Sequence, residues 1–467
     1  MGLLLLAGAL LGALYAKRET LLKDRDAARA PEAVRNPPDI VLVVIDNLRA
    51  DHLGVYGDAN AHSPVIDRLA AEGTRFTRAV SASSWTRPSI ASLFTSRLPS
   101  EHGAIAFGHD LGPELPTLAE RLAAAGYHTV GISGNFIHIT SETGMARGFD
   151  AWRTVSIRVA ASDAEDLWFG RRAPTGVEID QSVLAMVPPP GGRPLFLYVH
   201  FMEPHVPFAP SRQQRLERFG DPAGGGAPVR SEYLTDLAAG RVVADEAERA
   251  RILSLYDAEI ASVDEDLGTL LEGLAQRGYR NLVVALVSDH GEEFGEHGMW
   301  FHGMQLYQES ITVPIILHGG PVPVAVRDEP VDLLDVPTTL LALAGAPPIE
   351  GARGRDLLAP RLSPRDLISE LHSDPAVEAR IRPREQRSSL QRWPLKIILG
   401  RDGTHRFYDL ARDPGEQDPA STPDTPDAER LARELDTVSP SVVPGTTGPP
   451  ELDDATRDAL RSLGYAE

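Results

Sequence analysis

Two carboxylates, an imidazole and a hydroxyl stand where the chain's most apolar segments give way to polar ones. The run Asp39-Ile-Val-Leu-Val-Val-Ile45 ends in Asp46-Asn47, and Leu282-Val-Val-Ala-Leu-Val-Ser288 ends in Asp289-His290-Gly-Glu-Glu293. His128-Thr-Val-Gly-Ile132 leads into Ser133-Gly-Asn135, and Leu195-Phe-Leu-Tyr-Val-His-Phe201 leads into Met-Glu203-Pro-His205. An Asp, Asn or Ser after a strand is ordinarily a turn former or helix cap. Three of four such ends supplying an acid together with His or Asn is a pattern that turn chemistry does not require. Asp46, Asp289 and His290 form a mixed oxygen and nitrogen set suited to a divalent metal ion, Mn2+ or Zn2+ more than Ca2+. A carboxylate ending a buried strand needs compensation, and a cation supplies it.

The segment Ser83-Ser-Trp-Thr86-Arg-Pro88-Ser-Ile-Ala-Ser-Leu-Phe-Thr95 reads as a turn entering a helix. Pro88 suits the first helical position, which leaves Thr86 just outside the helix's positive end. Free N–H groups there favour an anionic ester. A threonine hydroxyl is a poor nucleophile until metal coordination lowers its pKa. Thr86 is therefore expected to be both nucleophile and metal ligand, beside Asp46, Asp289 and His290. His205 and His302 are the candidate acids for the leaving group, or donors to the non-bridging oxygens. Asn47, Glu203, Arg87 and Asn135 are further metal or substrate candidates, with Arg87 and Arg49 offering local positive charge. Glu203, His205 and His302 would be the ligands of a second metal, although Glu203-Pro-His205 is tight spacing for two ligands on one ion. His200, inside its strand, reads as structural.

The elements that must position these groups alternate. The apolar runs above, with Val313-Pro-Ile-Ile-Leu317, have the β-branched continuity of strands buried on both faces. Between them Pro64 to Glu72, Leu115 to Ala125 and Glu248 to Gln276 have amphipathic helical patterns. The expected fold is α/β, a mostly parallel mixed sheet flanked by helices, with ligands at the carboxyl ends of its strands. Ser162 to Arg193 and Pro210 to Gly240, rich in Gly, Pro and charge, read as surface excursions. Leu395-Lys-Ile-Ile-Leu-Gly and Thr404-His-Arg-Phe-Tyr-Asp-Leu410, joined by Arg401-Asp-Gly, predict an antiparallel hairpin. Helices are expected over Ala428 to Leu435 and Asp453 to Leu463. The domains are thus an apolar segment 1–16, a linker 17–38, a catalytic domain 39–358 and a small C-terminal α+β subdomain 359–467.

Composition narrows the classes. The chain has 467 residues, is 42% apolar and 24% charged, and has a formal charge of −20 with no cysteine. Disulfides, a thiolate nucleophile and cysteine metal sites are excluded, and an acidic surface argues against nucleic acid as a partner. Met1 to Ala16 are almost wholly apolar and Lys17-Arg18 follow. Such a stretch falls short of the roughly 20 residues that span a bilayer, and no basic region precedes it. A shortened spanning helix, an atypical signal peptide, a tilted anchor and a buried helix remain open, with a single membrane anchor preferred.

Several of these segments together resemble the sulfatase family of the alkaline phosphatase superfamily. The resemblance lies in Val43-Val-Ile-Asp46-Asn-Leu-Arg-Ala-Asp-His-Leu-Gly-Val-Tyr-Gly57, in Ser84-Trp-Thr86-Arg-Pro-Ser-Ile-Ala-Ser-Leu-Phe-Thr95 and in Leu98-Pro-Ser-Glu-His-Gly103. It continues in His200-Phe-Met-Glu-Pro-His-Val-Pro207, Tyr256-Asp-Ala-Glu-Ile260, Ser288-Asp-His-Gly-Glu292, Asp335-Val-Pro-Thr-Thr-Leu-Leu341 and Leu463-Gly-Tyr. It implies metal ligation by Asp46, Asp289, His290 and Thr86, with Asn47 less firmly placed, and substrate contact by His205 and His302. It also implies a bacterial cell-envelope protein, anchored or exported, although Lys17-Arg18 point to a cytoplasmic catalytic part.

The departures are informative. Sulfatases of this family use a formylglycine made from Cys or Ser in a Cys/Ser-x-Pro-Ser/Ala-Arg motif. Here the first position is Thr86 and the last Ile90, and threonine cannot be oxidised to an aldehyde. Threonine nucleophiles resemble instead the family's phosphoethanolamine and phosphoglycerol transferases and its nucleotide phosphodiesterases. The expected activity is therefore cleavage of phosphate esters or diesters through a phosphothreonine on Thr86, hydrolysis being preferred to transfer. Sulfuric ester hydrolysis without formylglycine and a non-catalytic metal-binding protein are the alternatives. The substrate would be an anionic ester on a small molecule, lipid headgroup or glycan.

Overall fold

The computed structural model describes residues 36–158, 171–209, 229–379, 381–420 and 425–438. The apolar 1–16 segment, nearly all of the 17–38 linker and the helix expected at Asp453 to Leu463 lie outside them. Among the described residues no helix is long and apolar enough to cross a membrane.

The β-branched runs form the centre of an eight-stranded sheet. Its order is Ala325–Arg327, Thr74–Phe76, Ile315–His318, Leu282–Ser288, Asp39–Ile45, Leu195–Phe201, His128–Ser133 and Ala151–Thr154. All pairs are parallel except those of Ile315–His318, which runs antiparallel to both neighbours. Alternate residues of the Asp39–Ile45 strand feed two different cores. Val41, Val43 and Ile45 pack with Leu255, Tyr256 and Ile260 of the Glu246–Gln276 helix. Ile40, Leu42 and Val44 pack with Ile90, Leu93 and Phe94 of the Thr86–Thr95 helix. Burial on both faces is why this strand shows no polar alternation.

The segments read as surface excursions contain packed helices. Ile179 and Val183 of the Gly176–Met186 helix, and Leu234 of the Ser231–Ala238 helix, are wholly buried. Their apolar positions recur at helical spacing, but glycine, proline and charge around them mask the pattern.

The C-terminal part is a four-stranded antiparallel sheet of Leu367–Glu370, Gln386–Arg392, Leu395–Gly400 and His405–Asp409. The Pro426–Val438 helix covers it through Leu431 and Leu435. This layer shares a core with Ala82, Leu98 and Leu334 of the large body. A buried ion pair, Lys396 Nζ to Glu416 Oε1 at 2.6 Å, fastens the seam, with Lys396 also donating to the Leu306 carbonyl at 2.7 Å.

Candidate active site

The ends of the central strands converge as their chemistry requires. Asp46 and Asp289 follow adjacent parallel strands, whose register pairs Ile45 with Ser288. Ser288 Oγ accepts from Leu48 N at 2.8 Å and donates to the His290 carbonyl at 2.7 Å, tying the two strand ends together. Tyr256 clamps the first loop, donating to the Asn47 carbonyl at 2.7 Å and accepting from Arg49 N at 2.9 Å. That loop bends at Asn47, whose φ of 63° lies in the left-handed region that asparagine tolerates. Gly291 is required by contact, since a Cβ there would lie 1.9 Å from the Glu309 carbonyl oxygen.

Asp46, Asp289 and His290 are fully buried, and their donor atoms lie within 4.8 Å of one another. Among the described residues no other group of three or more acids and histidines has that geometry. His290 Nδ1 faces the Gly291 carbonyl at 2.9 Å. A carbonyl only accepts, so the ring proton sits on Nδ1 and Nε2 presents a lone pair. Asp46 Oδ2 accepts from His200 Nε2 at 2.9 Å and from Asn135 Nδ2 at 3.1 Å. Asp46 Oδ1, Asp289 Oδ2 and Asn47 Oδ1 are buried and accept no hydrogen bond. Three orphaned oxygens, two of them from carboxylates, and the His290 Nε2 lone pair fit a divalent cation, because desolvated acceptors without partners are costly and a cation satisfies them together.

The electrostatics agree. Burial opposes the charge on Asp46, but the His200 hydrogen bond and the surrounding imidazoles outweigh it and hold the group well below the usual carboxylate range. Burial and then the charge of Asp46 push Asp289 up. Two carboxylates that share a buried site are driven apart in this way.

Thr86 is the first residue of its helix, with Trp85 as the capping position and Pro88 third, so the helix begins two residues earlier than the proline implies. Proline at the third position is tolerated because its missing N–H is among those a helix start leaves unused. Thr86 Oγ1 lies 3.2 Å from His290 Nε2. The hydroxyl thus stands at the donor set and at the helix's positive end together. A cleft opens over it, lined by Asn135, His138, His205, His302 and Arg384.

His205 Nδ1 faces the Val206 carbonyl at 2.6 Å, and burial pushes the ring down to about 4. It is therefore neutral at pH 7 with its proton on Nδ1. Asn47 Nδ2 donates to Glu292 Oε2 at 2.5 Å and faces His302 Nδ1 at 3.0 Å. His302 Nδ1 also lies 3.3 Å from both Glu292 carboxylate oxygens, so Asn47 and Glu292 together orient the ring. Burial holds His302 well below its ordinary value, and pushes Glu292 up to about 7.

Some expected residues stand elsewhere. Glu203 turns away and accepts from Gly176 N at 3.1 Å, capping a helix start. No second metal group of Glu203, His205 and His302 forms among the described residues. Arg87 reaches Asp110 at 2.9 Å and lies over the Phe107 ring, and Arg49 pairs with Asp51 and Glu296. Asn135 serves Asp46 as a donor. His200, read as structural, orients Asp46 directly and is itself held by Tyr198 Oη at 2.8 Å. Glu292 was visible only as part of the Ser288–Glu292 segment, and His138 and Arg384 carried no sequence signal at all.

Known proteins share this frame. A family model described as Sulfatase matches residues 38–346. An ulvan-active sulfatase of Formosa agariphila is 26% identical over 89% of this chain and 83% of its own length. An arylsulfatase of Clostridium perfringens is 24% identical over 81% of this chain and 89% of its own. Among solved structures, a phosphonate monoester hydrolase of Agrobacterium radiobacter superposes with a TM-score of 0.64 at 19% identity, covering 86% of this chain and 95% of that one.

Proposed function

The chain belongs to the sulfatase family of the alkaline phosphatase superfamily, a family of sulfatase-type hydrolases, and from that premise we propose that it hydrolyses monoanionic phosphate esters, phosphodiesters above all, with Thr86 as nucleophile. The observation that carries this reading is the Thr86 hydroxyl 3.2 Å from His290 Nε2, beside two orphaned carboxylate oxygens.

A divalent cation held by Asp46, Asp289 and His290 would lower the hydroxyl's pKa and neutralise charge on the ester. The side chains supply the rest. Thr86 Oγ1 bonds to phosphorus as the bond to the departing oxygen breaks. His205 Nε2, across the ring from its proton, suits acceptance of the Thr86 proton, and the His302 ring suits a hydrogen bond to the departing oxygen. The proton lost by Thr86 ends on that oxygen, so an alcohol leaves. Water then attacks phosphorus, its proton returns to Thr86 Oγ1, and a phosphomonoester is released.

Phosphorus is favoured over sulfur by the nucleophile. A threonine phosphoester is opened by in-line attack of water, whereas the family's sulfate release uses an aldehyde hydrate that threonine and a cysteine-free chain cannot provide. Charge favours a diester over a phosphomonoester. The carboxylates of Asp46 and Asp289 balance a divalent ion, and the one permanent positive charge among the described residues lining the cleft is Arg384. That sum matches one negative charge, not two.

A sulfate monoester carries the same single charge, and the ulvan-active sulfatase and the arylsulfatase are named for such substrates. Hydrolysis of sulfuric esters by Thr86 is therefore the second reading. Aryl phosphodiesters and aryl sulfates, assayed with Mn2+ and Zn2+ on wild type and Thr86→Ala, separate the two. Phosphodiester turnover lost in Thr86→Ala supports the first reading. Turnover confined to sulfates replaces it with the second, and metal binding without turnover of either makes the chain a binding protein.

A further inference from the structure

The cleft over Thr86 is not walled by the large sheet body alone. Val377 and Arg384 line it from the connection between the first two strands of the small antiparallel sheet. Arg384 is 2% exposed. Its Nε donates to the Gly303 carbonyl at 2.7 Å, its Nη1 donates to the His372 carbonyl, and its guanidinium stands 5.6 Å over the Trp85 ring. Trp85 adjoins Thr86 in the chain, and Gly303 adjoins His302. Both anchors thus place the guanidinium one residue from a group that the reaction uses. The same connection holds the opposite wall, because Asp374 Oδ2 accepts from Phe107 N at 3.1 Å.

Much of the wall is apolar, with the imidazoles of His138, His205 and His302 beside it. Trp85, Phe301 and Val377 are buried, and Phe107 lies 6.3 Å from Trp85 between ring centroids. His138 packs edge-on to Trp85 at 5.4 Å. Of the polar side chains in the cleft, Asn135 is committed to Asp46. A sugar ring brings several hydroxyls, and each one desolvated without a partner costs roughly 1–3 kcal/mol in protein sites. An aromatic ring brings none and gains from offset or edge-on packing.

We propose that the connection carrying Val377 and Arg384 completes a substrate site in which Arg384 holds a non-bridging oxygen of the ester anion and Trp85, Phe107, Phe301 and Val377 receive a flat apolar substituent, so that the substrates are diesters of ring-bearing apolar alcohols. The proposal rests on the Thr86 reading above and names the substrate class of that same site. A guanidinium fits this role better than an ammonium, since its five N–H groups can hold backbone carbonyls and an anion at once and its central carbon lies 5.6 Å from the Trp85 ring centroid.

The test uses the full chain loaded with Mn2+ and three 4-nitrophenyl phosphodiesters whose second substituent is phenyl, methyl or glucosyl. The phenyl diester is expected to exceed the methyl diester at least tenfold in kcat/KM, with the glucosyl diester below both. Arg384→Gln is expected to raise KM for the phenyl diester and weaken inhibition by inorganic vanadate, each by roughly 10- to 100-fold, the size of a lost charge-assisted hydrogen bond. Arg384→Lys recovers part of both. A purely structural role would lower the melting temperature and kcat without moving vanadate inhibition. Should Arg384→Gln not fold, Val377→Ser decides, and is expected to cut the phenyl-to-methyl ratio roughly tenfold. Preference for the glucosyl diester, or unchanged vanadate inhibition in folded Arg384→Gln, overturns the proposal. Thr86→Ala is run alongside: if it turns over like wild type, the underlying reading falls, and if it is inactive while Arg384→Gln matches wild type, only this inference falls.

Discussion

Replacing His200 by phenylalanine isolates the support behind the metal site. His200 is wholly buried and does not line the cleft over Thr86, yet its Nε2 donates to Asp46 Oδ2 at 2.9 Å. His200→Phe keeps a ring in the strand and removes the donor, leaving Asn135 at 3.1 Å as the remaining one. A hydrogen bond to a charged acceptor contributes about 1.5–3 kcal/mol, and loss of a group that orients a metal ligand typically costs about 10- to 100-fold in affinity. The two figures agree, since 1.4 kcal/mol is about tenfold. The direction with pH follows from the His200 bond being a leading reason why Asp46 lies below the usual carboxylate range. Without it, burial dominates, the pKa rises, and protons compete with the cation as pH falls. Titration with Mn2+ at pH 6 and pH 8 is expected to show weakened affinity in His200→Phe, more so at pH 6, with turnover restored at saturating metal. Unchanged affinity alongside a lowered melting temperature would refute the reasoning and return His200 to a packing role.

Three further outcomes follow from buried charge. Asp180 is 4% exposed with neither carboxylate oxygen hydrogen-bonded, and burial, then Asp266 and Glu203, push it up to about 8. A raised folded pKa gives stability that is full below the unfolded value of about 3.9 and lost as pH climbs through the folded one. Urea unfolding should thus show Asp180→Asn stabilised over wild type at pH 9 more than at pH 5, and a pH-independent difference would contradict this. Lys396→Met leaves Glu416 as a buried anion and should cost about 3–5 kcal/mol, most of it recovered in Lys396→Met/Glu416→Leu; an equal loss in the double variant would show that packing, not charge, holds the seam. Chelation should lower both activity and melting temperature, and Mn2+ or Zn2+ at about 100 times its Kd should return about 2.7 kcal/mol; a melting temperature indifferent to chelator would remove the cation from the account.

The placement of the candidate site was legible where it depends on residues at strand ends. A strand buried on both faces announces itself by continuous β-branched residues, and the polar residue that follows it must face the carboxyl edge of the sheet. That reasoning joined Asp46 to the adjacent pair Asp289 and His290, which lies far away in sequence. It failed at Glu203, which follows a similar strand but finds Gly176 N at a helix start, a partner that only tertiary structure supplies. His200 read as structural, and its bond to Asp46 went unseen because its strand position gives no hint that the neighbouring strand ends in Asp46. Arg384 sits in an irregular connection with no periodicity, so its place over Trp85 depends wholly on how the small sheet docks.

The nucleophile is the claim on which the rest depends, and it can be observed chemically. Wild type mixed with an aryl phosphodiester, quenched in acid during turnover and digested, is expected to carry the phosphoryl ester on Thr86, with Thr86→Ala carrying none and turning over nothing. Steady phosphodiester turnover by Thr86→Ala, or an adduct on any other residue, would contradict it.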